Sequence, residues 1–340
     1  NGPTFLIGSH QDSVRTGGRY DGIMGILVGC LALEKLNAEG IALSYPVEVL
    51  AFADEEGVRF PTALLGPRAL AGTVDLAIFD MKDRDGVTLR DALNDFGGSA
   101  DRITDLKRNP EDVMGYLEAH IEQGPVLENK DLACGVVTGI CGIERNIETF
   151  TGETGHAGTV PMENRKDALV AASDFITHIN AAAMGHENLL ATIGALSLHP
   201  NVVNGIPRHV ELTLEIRSLK DDDRASFADQ ARVFGDQIKA DQDITFEMTR
   251  TYEQPAVPCA EGLLKRLRHA VREVGQDGLD MPSGATHDAS AMADLCEITM
   301  LFVRCRGGVS HTPKEFTSDD DLGATISATA EFLRQLGDGS

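Results

Sequence analysis

The sequence predicts a mixed α/β fold: a mostly parallel sheet covered by helices, interrupted by a smaller inserted α+β unit. Three observations carry this. The opening third alternates buried-strand runs with helical runs, and each strand run ends in a polar cluster. Near Cys141 the rhythm changes to strand, helix, strand, strand, helix, strand, the ferredoxin-like order. After Pro255 and Pro258, helices and an apolar strand resume, so the first domain is interrupted rather than finished. A length of 340 residues fits about two domains of ~150 residues each.

Taken in order, residues 4–8 form a short apolar strand run that opens into Ser9-His10-Gln11-Asp12. Residues 23–36 carry apolar side chains at helical spacing and stop near Gly40, a suitable C-terminal cap. Residues 47–53 read as a second buried strand and lead at once into Asp54-Glu55-Glu56-Gly57. Residues 116–123 read as a third strand, bearing His120. The insert follows, with strands at 144–151, 189–198, 209–217 and 244–250 and helices at 165–184 and 222–240. A helix at 261–274, a short helix at 287–295, a strand at 298–303 and a closing helix from Asp319 complete the chain. The expected division is 1–140 with 255–340 as one domain and 141–254 as the other. There is no internal repeat and no low-complexity stretch. The chain opens on Asn1 and is in a strand by Phe5, so a trimmed or missing N-terminal segment is expected.

Thirty Lys and Arg stand against 53 Asp and Glu, a formal charge of −23. That balance repels nucleic acid and anionic membrane but attracts metal ions. Apolar residues at 42% and charged residues at 24% exclude a disordered chain and a coiled coil. No apolar run approaches the ~18 residues of a spanning helix, and no signal peptide is expected before the first strand. The six cysteines, at 30, 134, 141, 259, 296 and 305, form no C-x-x-C pair. They read as buried free thiols of a cytoplasmic protein.

The residues that carry chemistry sit at strand ends and in glycine-rich loops. His10 and Asp12 suit a ligand and the carboxylate that orients it, or a plain surface cluster. Asp21, in Gly17-Gly18-Arg19-Tyr20-Asp21-Gly22 before a helix, suits an N-cap or a carboxylate bridging two ions. Three adjacent acids at 54–56 repel one another unless a cation or proton compensates. On an extended chain Glu55 and Glu56 point opposite ways, so one would bind metal while the other faces substrate, unless the turn is merely solvated. Glu118, His120 and Glu122 share one strand face in alternation, an unusual setting for a core histidine. His311 follows a buried strand through Arg306-Gly307-Gly308. Together His10, Asp21, Glu56, His120 and His311 make a sensible site for two divalent cations at one end of one sheet. Imidazole and carboxylate ligands suit Zn²⁺, Mn²⁺, Co²⁺ or Ni²⁺. The insert adds a glycine-flanked His156, a turn Asn204 and a strand-borne Arg217 that can fork onto a carboxylate. Each of these also has an ordinary structural reading.

The motifs as a set resemble the hydantoinase/carbamoylase branch of the aminoacylase-like metallohydrolases. They are GSHQDS at 8–13, GGRYDG at 17–22, DEEGVRF at 54–60, EAHIEQGPVLE at 118–128, GHAGTVPM at 155–162, RKDA at 165–168, N-x-I-P at 204–207 and SHTPKE at 310–315. The resemblance spans essentially the whole chain, and HIEQGPVLE is its most specific part. It implies that His10, Asp21 and His120 hold one metal, that Asp21, Glu56 and His311 hold the other, and that Asp21 bridges them. Glu55 would be the general base. Gln123, Asn204, Arg217 and Gly284 would bind substrate, with Arg217 on its carboxylate. His156 would reach the active site of the other subunit of a homodimer formed through the inserted lid domain. The implied activity is cleavage of the ureido C–N bond of an N-carbamoyl-L-amino acid or allantoate, with release of ammonia. An aminopeptidase or aminoacylase activity of the same superfamily, or a non-catalytic binding protein on the same fold, are the alternatives. Two departures from the branch stand out: its N-terminal helix and strands have no counterpart here, and Thr286 replaces the glycine usual in S-G-A-G-H-D.

Overall fold

The computed structural model describes residues 2–337. The chain divides into two compact units, Asn1–Ile140 with Pro258–Ser340, and Cys141–Val257. The first begins with β1 (Thr4–His10), α1 (Ile23–Ala38), β2 (Val47–Phe52), α2 (Leu65–Ala71) and α3 (Leu89–Asp95). β3 (Val113–Ile121), α4 (Val126–Asn129) and β4 (Cys134–Ile140) follow. The second unit holds β5 (Gly142–Thr151), α5 (Ala168–Met184), β6 (Leu189–His199), β7 (His209–Ser218), α6 (Asp221–Gln242) and β8 (Thr245–Gln254). The chain then runs through β9 (Val257–Pro258), α7 (Glu261–Glu273), β10 (Asp280–Ser283), α8 (Asp288–Met292), β11 (Ile298–Val303) and α9 (Asp319–Gly337).

The first sheet has the order β10-β4-β11-β3-β1-β2, with β9 beside β4. β2, β1, β3 and β11 are mutually parallel, whereas β4 runs against β11. The expected mostly parallel sheet is therefore present. Alternating residues of β1 face opposite layers. Phe5 meets Phe332 of α9 edge-on, and Ile7 lies under Gly29 of α1. Phe52, paired in register with His10, lies under Gly66 of α2 on the other side. Helices α1 and α9 thus cover one face and leave the His10 face to the shorter helices and loops.

The second unit is a four-stranded antiparallel sheet, β6-β7-β5-β8, in the expected β-α-β-β-α-β order. β7 alternates buried and partly exposed residues along its length, as a sheet wetted on one face must. Its buried residues Val210, Leu212, Leu214 and Ile216 join Phe150, Phe175, Phe227 and Phe246 in one core. Helix α5 starts at Ala168 rather than near Arg165, because Asp167 caps it by accepting the N–H groups of Leu169 and Val170. Arg165 instead donates to the carbonyls of Ala157 and Val160.

Other departures from expectation are local. The third strand starts earlier, at Val113, and ends at Ile121, so Glu122 lies beyond the alternation. The helix expected at 287–295 is a five-residue turn, Asp288–Met292. Cys30 is exposed, unlike the buried Cys134, Cys141, Cys259 and Cys305 and the half-buried Cys296; all six are free. Among the described residues no helix is long and apolar enough to cross a membrane.

Candidate active site

His10 is the last residue of β1, His120 the next to last of β3, and the acidic turn Asp54–Glu56 follows β2. His311 lies in the loop after β11, and Asp21 just before α1. Ligand crevices form at such carboxyl ends of parallel strands. Here the strand ends bring together His10, Asp21 and His120, and likewise Asp21, Glu56 and His311.

The histidines are oriented by the backbone. Nδ1–H of His10 donates to the carbonyl of Asp12 at 2.9 Å, and Nδ1–H of His120 to that of Ile121 at 2.9 Å. A carbonyl only accepts, so each ring is left to present Nε2. The two Nε2 atoms are 3.4 Å apart, and both face Asp21 Oδ1, at 3.6 Å from His10 and 3.1 Å from His120. The other oxygen, Oδ2, lies 3.2 Å from His311 Nε2, which is 3.7 Å from Glu56 Oε1. Glu56 Oε1 is buried without a hydrogen-bond partner. One aspartate thus divides its two oxygens between two sets of electron-pair donors. The convergence of imidazole nitrogens and carboxylate oxygens, with Glu56 Oε1 buried and lacking any proton donor, fits divalent cations on both sides of Asp21.

Without a cation, protons compensate. Burial alone would lower His120, but the hydrogen bond and charge of Asp21, with the charge of Glu118, raise it to about 9. Burial and the charge of His120 lower His10. Burial would raise Asp21, but its hydrogen bond to His120 and the charges of His120 and His10 hold it well below the usual carboxylate range. Burial, then the charges of Glu56 and Glu118, push Glu55 up to about 9.

The acidic turn is not extended. Asp54 adopts a left-handed conformation, φ 57°, and both Glu55 and Glu56 approach His10 instead of pointing apart. The Asp12 carboxylate fixes this turn, accepting the N–H of Glu55 at 3.3 Å and of Glu56 at 3.2 Å. Asp21 does not cap α1: Gly22 holds the cap position with φ 71° and no side-chain hydrogen bond. A Cβ at Gly22 would lie 2.3 Å from His10 Nδ1, so the loop needs glycine there. Glu118 stays with His120, accepting from Ser9 Oγ at 3.1 Å and from the Ala289 N–H at 2.8 Å. Glu122 does not: its carboxylate accepts the N–H groups of Val126 and Leu127 at the start of α4.

Gln123 lies against the Asp21 group, with Nε2 3.1 Å from Asp21 Oδ2 and 3.1 Å from Ser310 Oγ. Gly284 lies in the turn between β10 and α8, which the Ser283 hydroxyl closes against Ala285 and against His287 Nε2 at 2.7 Å. Sequence reasoning passed over His287, although it is fully buried with its ring 4.5 Å from that of His120. Asp288 beside it is buried, with neither carboxylate oxygen hydrogen-bonded. The available signals were a histidine ending a glycine-containing turn and its place in the Ser283–Asp288 stretch compared above with S-G-A-G-H-D.

In the second unit the structure groups Asn204 with His156, not with Arg217. His156 and Gly205 form a β-bridge, and the Ala157 N–H donates to the Asn204 carbonyl at 3.0 Å. His156 is exposed. Its Nδ1 accepts the Gly158 N–H at 3.1 Å, so the neutral ring carries its proton on Nε2, as an outward donor. This loop pair flanks the start of β7, where His209 pairs with Thr151. Arg217 lies at the other end of β7 opposite Ile143, its guanidinium on Glu215 Oε1 at 2.7 Å. Eight strand steps separate His209 from Arg217, roughly 25 Å at the usual rise per residue.

Residues 6–335 match the model of peptidase family M20/M25/M40. The chain is 36% identical to the N-carbamoyl-L-amino acid amidohydrolase of Geobacillus stearothermophilus, over 98% of this chain and 82% of that protein. It is 39% identical to a probable allantoate deiminase of Oryza sativa subsp. japonica, over 97% of this chain and 74% of that one. A crystal structure of an amidase of the hydantoinase/carbamoylase family from Burkholderia multivorans superposes with a TM-score of 0.92 at 32% identity. That superposition covers 99% of this chain and 81% of that one.

Proposed function

The chain belongs to peptidase family M20/M25/M40, and from that premise we propose that it is a metal-dependent ureido hydrolase acting on an N-carbamoyl-L-amino acid or allantoate. It is a hydrolase, an amidohydrolase of this family. The observation that supports metal dependence is the convergence of histidine and carboxylate donors on both oxygens of Asp21. His10, Asp21 and His120 would hold one ion, and Asp21, Glu56 and His311 the other, with Zn²⁺ or Mn²⁺ the first choices and Co²⁺ or Ni²⁺ also suited. When bound, the two ions supply Lewis acidity that polarises a carbonyl and eases the ionisation of water. Glu55 takes the proton from the attacking water at its carboxylate and returns it to the departing nitrogen. Its high pKa suits the second half of that task, and neighbouring positive charge lowers it for the first. Cleavage of a carbamoyl amino acid leaves a carbamate that decomposes to CO₂ and ammonia.

The substrate contacts come from several places. Arg217 forks onto the carboxylate, its guanidinium oriented by Glu215. Gln123 and the backbone at Gly284 line the pocket. His156 donates Nε2–H to the scissile carbonyl, a type of contact worth about 3–4 kcal/mol in a transition state. A small substrate cannot touch both ends of β7 in one protomer, which supports His156 and Asn204 acting on the partner's substrate. The sheet has an edge for such pairing. β6 carries no charged residue from Leu189 to His199 and exposes Leu190 and Leu196, whereas β8, the other edge, is guarded by Glu247, Arg250 and Glu253. An uncharged, apolar edge is a template for a second strand. A homodimer through this inserted unit is the arrangement we favour.

The test is ammonia release from protein loaded with Mn²⁺, Zn²⁺, Co²⁺ or Ni²⁺. The panel comprises allantoate, several N-carbamoyl-L-amino acids, N-carbamoyl-β-alanine, an N-acetyl amino acid and a dipeptide. Turnover of a ureido compound, abolished by chelator, is expected. Turnover of only the dipeptide or acetyl compound would replace this reading with the aminopeptidase or aminoacylase alternative. Bound metal with no turnover of any compound would favour a binding protein.

A further inference from the structure

One buried carboxylate outside the ligand set ties two segments of the site together, and a third meets them at Asp21. Glu315 is 4% exposed. Its Oε1 accepts the N–H of Tyr20 at 2.7 Å and of Asp21 at 2.9 Å. Its Oε2 lies 3.3 Å from the Ser310 hydroxyl, which is 3.0 Å from Asp21 Oδ2. Gln123, just past β3, donates to that same Oδ2. The Tyr20–Asp21 loop is packed onto Glu315 at contact distance: a Cβ at Gly18 would lie 2.3 Å from Oε1. A second carboxyl group buried beside Asp21 is an expensive choice if the only task is packing, since an apolar or amide side chain would fill the space at lower desolvation cost.

We infer that Glu315 is a positioning residue for Asp21, holding its backbone and, through Ser310, its Oδ2, so that one oxygen of Asp21 faces each half of the site. The Ser310 hydroxyl is the adjustable member. It has one proton and two carboxylate acceptors, so were a cation to engage Oδ2 the hydroxyl would still have Glu315 to donate to. This inference rests on the reading of Asp21 as the ligand shared by two ions.

The experiment uses Co²⁺ as the probe on the whole chain. Co²⁺ stoichiometry and dissociation constants are measured by competition with a chromophoric chelator, together with the visible Co²⁺ spectrum and the melting of the metal-free protein. Variants are Glu315→Gln, Glu315→Ala and Asp21→Asn. The parent should bind two Co²⁺. Glu315→Gln should fold like the parent yet hold the weaker ion about 10–100-fold less tightly, the usual cost of losing a partner behind the ligands. Its Co²⁺ spectrum should change, and excess Co²⁺ should restore kcat. If Glu315→Ala fails to fold, Glu315→Gln decides. A Glu315→Gln protein with parental Co²⁺ affinity and spectrum overturns the positioning role while leaving the shared-ligand reading intact. A parent that binds fewer than two Co²⁺, or an Asp21→Asn protein that still binds two as tightly as the parent, defeats the shared-ligand reading and the inference with it.

Discussion

Glu148 offers a stability measurement independent of the metal site. It lies in β5, fully buried in the core of the second unit. Burial pushes its carboxyl from 4.5 to about 8, opposed by the nearby N–H groups of Glu148 and Leu214 and by the charge on Arg232. Neither oxygen makes a hydrogen bond. Between pH 4.5 and 8 the folded chain therefore holds a proton that the unfolded chain has released. Unfolding sheds that proton, so stability falls as pH rises, by about 1.4 kcal/mol per pH unit. Above pH 8 both states are ionised and the loss levels off, on the order of 4–5 kcal/mol in all. Glu148→Gln removes the ionisation. Urea unfolding of parent and variant, followed by far-ultraviolet circular dichroism because the chain has no tryptophan, isolates this one group. The acids of the metal site titrate alike in both proteins and cancel. The variant's advantage should be smallest at pH 4.5, grow through pH 7 and reach its plateau above pH 8. Parallel stability curves for the two proteins from pH 5 to 8.5 would mean that the folded state keeps Glu148 ionised, and the reasoning from burial would be wrong.

Four further outcomes are expected. Glu55→Gln should retain metal and lose about 10²–10⁴ in kcat; near-parental turnover would remove Glu55 as the base. Arg217→Ala should raise KM for a carboxylate-bearing substrate far more than it lowers kcat, with Arg217→Lys recovering only part because lysine lacks the planar fork; an unchanged KM would take Arg217 out of the pocket. Mixing inactive His156→Ala and Glu55→Gln proteins under subunit exchange should restore some activity, and none would appear if the histidine acts within its own protomer. Leu196→Lys on β6 should shift light-scattering mass from dimer toward monomer while the circular dichroism spectrum is kept; an unaltered dimer would place the interface elsewhere.

The chemistry was legible wherever it sat beside strong local signals. His10, Asp54–Glu56 and His120 adjoin apolar strands, so their common end of the sheet followed from the parallel order alone. The family could be named because several glycine-bounded motifs recur along the chain, and the family match and the identities to amidohydrolase relatives bear that out. Conformations set by non-local geometry were harder. Nothing in D-E-E-G indicates that Asp54 turns left-handed, yet that one torsion brings both glutamates to His10. Alternation carried Glu122 too far, because the strand stops at Ile121 and the carboxylate is drawn to a helix start. β4 was overlooked: a short apolar run among glycines looks like many things until β11, about 160 residues later, pairs with it. The grouping of Asn204 with His156 depends on a single β-bridge between loops about 50 residues apart.

The length of β7 also bears on how rate depends on enzyme concentration. With the His156 loop beside the start of β7 and Arg217 near its other end, a catalytic centre that took His156 from one copy and Arg217 from another, as proposed above, would exist only where two copies meet. Under that arrangement specific activity would follow mass action, constant while pairs predominate and falling in proportion to concentration once dilution separates them. The cell's supply of the chain would set not only how many centres there are but what fraction of them is complete.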